Sequence, residues 1–190
     1  MGKARIGALL IVFACSFVAA VARAETFSVD AVEAAFLYRF ASYVEWPADS
    51  PASPFVIAVA GDEDVAGQLE TLVPRMLVNH QPVQLRRVVR TADLDGVHIL
   101  YIGPDALGRS RTLRNAALER PILLVTDDVR GLDAGAVINF VEANRNVRFE
   151  ISLIAADRAR LKIDSALLSV AARVERRPAA IRSVDEGNPQ

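Results

Sequence analysis

The chain has 190 residues, 52% hydrophobic and 24% charged, with 22 basic against 23 acidic side chains and one cysteine. That is the size of one ordinary domain with enough apolar residues for its own core. A net charge of −1 without a basic cluster excludes an electrostatic grip on nucleic acid. One cysteine and two histidines exclude a zinc site made from those residues.

Residues 1–24 read as an export signal. Lys3 and Arg5 give a basic start, Ile6 to Val21 is apolar, and Ala22-Arg23-Ala24 is a small-x-small cleavage pattern before Glu25. The apolar run is short for a bilayer span, which needs roughly 20 residues. Phe13 stands where a lipoprotein signal at Cys15 wants a small residue. Cleavage removes Cys15 and three of the 22 basic residues, leaving 19 against 23 acidic ones. The expected product is a periplasmic domain over residues 25–176, not membrane-spanning and held by its core without disulfides.

From Ser28 to Glu45, Val29, Val32, Phe36, Phe40 and Tyr43-Val44 recur at helical spacing, with Ser28 as N-cap and Pro47 as the stop. Phe36 and Phe40 are expected in the core; Tyr38 and Trp46 fit a core or a ligand groove. Phe55–Ala60 is a short β-branched strand, followed by Gly61-Asp62-Glu63-Asp64 and a helix through Leu69 and Leu72. Gln84–Val89 reads as a half-exposed strand and Val97–Ile102 as a buried one. A helix over Asp105–Glu119 leads to a buried strand at Ile122–Val125. Strands apolar on both faces, alternating with helices, imply a mostly parallel sheet covered on each side.

Ala136–Val141 and the alternating run from Val147 then read as a β-hairpin around Ala143-Asn144-Arg145-Asn146, closing one edge of that sheet. Val147, Phe149, Ile151 and Leu153 fall on one side, and Arg148, Glu150 and Ser152 on the other. A last helix is expected over Ser165–Glu175, and residues 177–190, without apolar periodicity, read as a disordered tail. The fold class is α/β: a single-domain sandwich with a mostly parallel central sheet, helices on both faces, and a C-terminal antiparallel hairpin at one edge.

Few residues point to chemistry. His98 sits inside an apolar strand and reads as a hydrogen-bonded core histidine, and His80 lies in the polar turn NHQP. There is no nucleophile elbow, phosphate loop or dinucleotide fingerprint after any strand. Asp62, Asp127 and Asp128 follow the C-terminal ends of strands, where open α/β sheets bind ligands. They are candidate ligand-binding residues, with solvated turn carboxylates as the plainer reading. A phosphoacceptor site would also need a lysine at a third strand end, and the lysine left after cleavage, Lys162, is in a turn near the C-terminus. On the hairpin, Asn139, Phe140, Arg148, Phe149 and Glu150 are candidate partner-binding residues. Arg148 and Glu150 fit either a recognition surface or a mutual ion pair, which is worth little at a surface.

Three stretches carry a family likeness: AAFLYRFASYVEWP, the pair HILYIG and PILLVTDD, and GAVINFVEANRNVRFEISLIAADRARLKIDSALLSVA. On these the chain resembles the YfiR family of periplasmic proteins. The resemblance implies a non-catalytic repressor, without cofactor or metal, that binds the periplasmic sensor region of a YfiN-type inner-membrane diguanylate cyclase. Such a repressor lowers cyclic-di-GMP and biofilm formation and lets go under envelope or redox stress. It also implies a possible homodimer. Many relatives have a cysteine before HIL, where this chain has Val97. A disulfide switch therefore cannot operate in the cleaved chain. Two other readings stand beside this one: a small-solute-binding module using the cleft near Asp62 and Asp127, and a small Mg²⁺-dependent hydrolase.

Overall fold

Eight strands form one mixed sheet in the computed structural model, which describes residues 28–50, 53–106, 110–143 and 146–176. The export signal, the hairpin turn at Asn144-Arg145 and the C-terminal tail lie outside the described residues. The strands are β1 (Val44–Glu45), β2 (Phe55–Ala60), β3 (Leu77–Val78), β4 (Gln81–Arg87), β5 (Ile99–Ile102), β6 (Leu123–Thr126), β7 (Ile138–Ala143), β8 (Asn146–Ser152), β9 (Lys162–Ile163) and β10 (Arg173–Glu175). The helices are α1 (Val29–Phe40), α2 (Glu63–Leu72), α3 (Ser110–Leu118), α4 (Leu153–Arg158) and α5 (Ser165–Val170). The sheet runs β10-β8-β7-β6-β5-β2-β4-β3, parallel except at the β7–β8 hairpin and the β3–β4 pair.

Every residue of β2, β5 and β6 is buried, as expected for strands with a layer on each side. Their side chains alternate between two cores. Ile57, Val59, Ile99, Tyr101, Leu123 and Val125 face the larger core, under α1 and α2, while Val56, Ala58, Leu100 and Leu124 face the smaller one with Leu113 and Ala117 of α3.

The starts of α1 and α2 are set by short polar side chains. Ser28 Oγ accepts from the Ala31 amide at 3.2 Å and Asp62 Oδ1 from the Val65 amide at 2.8 Å, satisfying donors that helix geometry leaves open. Several boundaries depart from the sequence expectation, among them the strand read at Gln84–Val89, which is Gln81–Arg87. Helix α1 stops at Phe40 and not near Pro47, because Val44 and Glu45 pair with Ile163 and Lys162 in a separate two-stranded ribbon. Leu153 starts α4 and does not continue the strand, since Ser152 Oγ caps the Ala155 amide. Helix α5 ends at Val170, and residues 173–175 instead extend beside β8, outside the hairpin. The 3₁₀ turn Pro104–Ala106 and α3 divide the stretch read as a single helix. Asn79 and His80, both at positive φ, make the turn between β3 and β4.

An aromatic cluster locks α1 onto the hairpin. Phe40 lies 5.9 Å from Phe140 and 5.2 Å from Phe149 between ring centroids, and Phe36 lies 5.4 Å from Phe149. Such spacings are in the range where rings attract beyond simple area burial. Phe140→Ala should therefore lower unfolding stability by about 3–5 kcal/mol, read from the denaturant midpoint. An unchanged midpoint would contradict this packing.

Candidate functional site

Helix α1 contributes to two surfaces. Its outward flank, with Phe36 and Arg39, joins Tyr43 just past its end, Gln68 and Leu72 of α2, Phe149 of β8, and Leu167 and Val170 of α5 around an open groove of about 840 Å³. The groove is mainly apolar. Arg39 is exposed in the last turn of α1, where a cation suits the helix dipole, and forms no ion pair among the described residues.

The inward flank carries a carboxylate into the core. Glu33 is 3% exposed, at a spacing from Leu37 and Phe40 that puts all three on one helix face. Its Oε2 accepts from the Tyr101 hydroxyl at 2.8 Å, and that hydroxyl also lies 3.3 Å from Asp62 Oδ2. Burial pushes Glu33 up to about 7 against the downward pull of the Tyr101 bond, and Asp127, Asp62 and Asp30 push it further. Asp62 is raised by burial, opposed by the Val65 amide and the Tyr101 hydroxyl. Asp127 is raised by partial desolvation and then by Asp62 and Asp128. The Tyr101 phenol is pushed well above its ordinary range by burial and the charge of Glu33. Gly103 makes room for this group: a Cβ there would stand 2.5 Å from Asp62 Cβ. A shallow cleft of about 460 Å³, lined in part by Asp30, Asp62, Asp64 and Arg87, opens beside it.

Residues 30–172 match the family model described as YfiR/HmsC-like (DUF4154). The chain belongs to that family. The matched span contains all three stretches on which the resemblance was drawn. No curated protein matches the sequence. A conserved domain protein from Vibrio cholerae O1 biovar El Tor strain N16961 is similar in structure, at TM-score 0.50 and 12% identity, covering 78% of this chain and 61% of that one. The ABC domain in complex with L-Trp from Streptococcus pneumonia aligns at TM-score 0.45 and 10% identity, over 63% of this chain and 55% of that one. The YfiR/HmsC-like chain thus spans about six-tenths of the first of these solved chains.

Within this YfiR/HmsC-like fold the residues expected at a partner surface separate. Asn139 and Phe140 are each 2% exposed and meet no surface. Asn139 Oδ1 accepts from the Thr126 hydroxyl at 2.7 Å and the Asp128 amide at 3.2 Å, so it fastens the loop after β6. A Cβ at Gly131 would collide with that pair. Phe149 is also 2% exposed, in the core but at the floor of the groove. Arg148 is exposed and donates weakly to the Val170 carbonyl at 3.4 Å. Glu150 is half-buried and takes two bonds of 2.9 Å from Arg173 of β10. The Arg148–Glu150 pair entertained from sequence does not form, because each side chain has a nearer partner.

Asp62 and Asp127 do come together, around Tyr101 and Glu33, whereas Asp128 closes its own turn by accepting from the Arg130 amide at 2.8 Å. His98 is a core histidine, 3% exposed, with Nδ1 accepting from the Val56 amide at 3.1 Å and its ring stacked on Phe55. Trp46 packs edge-on against Phe55 and donates to the His98 carbonyl at 3.3 Å. Among the described residues no group of three His, Cys, Asp or Glu is placed to hold a metal ion. Nor is any described helix long and apolar enough to cross a membrane. Sequence reasoning missed Glu33, Tyr101 and Arg39. The spacing of Glu33 from Leu37 and Phe40 was the available signal for the first.

The raised Glu33 carboxyl fixes a pH dependence. Between pH 4.5 and about 7 the folded chain keeps a proton that the unfolded chain has lost, so stability falls as pH rises through that window. Above it the full penalty, on the order of 3 kcal/mol, is present. Glu33→Gln should remove most of this slope and be the more stable protein at pH 8, measured by urea unfolding at several pH values. Parallel slopes in the two proteins would contradict the burial of this carboxyl as the cause.

Proposed function

We propose that this YfiR/HmsC-like chain is an exported, non-catalytic regulator that docks on the periplasmic sensor region of an inner-membrane diguanylate cyclase and holds it inactive, lowering cyclic-di-GMP. Family membership supports the class, and the groove along α1 is the observation that carries the mode of binding. An open groove with an aromatic floor suits the apolar face of a helix, the helix-in-groove mode of recognition. Arg39 at its rim, without an ion pair among the described residues, calls for an acidic residue on that helix, since complementary charges fix register and speed encounter. The occupant is therefore an amphipathic helix with an apolar stripe and at least one carboxylate. Val170, a large apolar side chain 55% exposed on the groove wall, is the kind of residue such a partner would cover.

The alternative of a small-solute module rests on the cleft beside Asp62. The Asp62 carboxylate is already engaged with the Val65 amide and Tyr101, which fits a structural role better than solute capture. A thermal-shift screen with nucleotides, amino acids and cell-wall fragments would revive it on a clear hit.

Deleting the gene should raise intracellular cyclic-di-GMP, and restoring it should reverse the rise. Restoring Arg39→Glu should not, because charge reversal at the rim should weaken partner binding about tenfold or more while circular dichroism stays native. Full complementation by Arg39→Glu would remove the groove from the interface, and no rise on deletion would remove the cyclase.

A further inference from the structure

The oxygens of Glu33, Tyr101 and Asp62 form a chain with separations of 2.8 and 3.3 Å, and a phenol has one hydrogen to give. Both links can be hydrogen bonds only when one carboxyl is protonated. Glu33 is the holder that burial favours, because Asp62 is only half-buried and its other oxygen is bound by the Val65 amide as a helix cap. With the proton there, Glu33 donates to the Tyr101 oxygen, and Tyr101 turns its own hydrogen to the Asp62 carboxylate. Without it, two carboxylates compete for one hydroxyl inside the core, at a cost typical of a buried charge left short of partners.

We propose that the Glu33–Tyr101–Asp62 chain is a proton-binding site beneath α1, and that losing its proton loosens α1 and weakens docking in the groove that the same helix lines. This deepens the functional reading above and rests on it for the identity of the occupant. The chemical surroundings point one way. Asp30 on α1, Asp62 and Asp64 at the start of α2, and Asp127 after β6 are all acidic and disfavour a second negative charge. Strand β8, which also packs on α1, turns Phe149 toward the helix and places Arg148 and Glu150 on the opposite face of the sheet. Phe36, Arg39 and Phe40 lie one to two turns along α1 from Glu33, so a helix that lifts at Glu33 moves the groove floor and its cation together.

Hydrogen exchange on the full chain at pH 6 and pH 8, corrected for intrinsic rates, reads the first half without any partner. The α1 amides should lose about tenfold in protection from pH 6 to pH 8 in the wild type and stay level in Glu33→Gln. Tyr101→Phe, which breaks the chain while leaving both carboxyls, should show weaker α1 protection than wild type at pH 6. Equal pH responses in wild type and Glu33→Gln would overturn the proton site. Affinity for the purified periplasmic region of the cyclase reads the second half. It should weaken about tenfold over the same interval in wild type and hold steady in Glu33→Gln. Equal weakening in both would overturn the coupling. Absence of binding at either pH, with α1 protection behaving as stated, would overturn the functional reading and the coupling while upholding the proton site.

Discussion

The position of α1 on the sheet is the constraint from which the other features follow. The helix must cover the apolar face presented by β5, β6, β7 and β8, and Leu37 and Phe40, both 0% exposed, do so. That face ends in a phenol, because Tyr101 is the last inward residue of β5. Whatever α1 sets above the hydroxyl must be able to hydrogen-bond, and Glu33 is that residue. Burying a carboxyl there is expensive unless it is paired or neutral, so a helix held by aromatic packing at one end is held by a protonation-dependent bond at the other.

The two ends of α1 therefore differ in kind. The Phe36–Phe40–Phe140–Phe149 cluster contains no titratable group, and it makes the hairpin part of the core. The Glu33 end answers to its surroundings. A buried titratable group of this kind is a chemical means of making the helix above it responsive.

Much of the fold was legible in the sequence for plain reasons. Phe55–Ala60 is short, β-branched and bounded by turn residues, and it is a strand with the same bounds in the structure. Asp62 ahead of an amphipathic run is a helix cap, and α2 follows it. The failures lie where tertiary pairing overrides local pattern. Val44–Glu45 leave a helical register to pair with residues more than a hundred positions away, and Arg173–Glu175 leave one to lie beside β8. At the candidate site the hairpin residues misled because alternation gives the side of a strand but not what covers it. Asn139 is polar yet sealed by the loop that it fastens, and Glu150 is claimed by a strand that sequence reading had made helical. Tyr101 looked like one more apolar residue in a buried strand. Its hydroxyl gains meaning only when α1 and the loop after β2 converge on it.

Photocrosslinking in living cells tests the central claim most directly, with a photoreactive residue at Ala35, exposed beside the groove, or at Asp64, exposed near the acidic cleft. The account predicts an adduct from Ala35 to the periplasmic region of a membrane diguanylate cyclase, and none from Asp64. An adduct from Asp64 alone, or cyclase adducts from neither position while cyclic-di-GMP still depends on the gene, would contradict docking along α1.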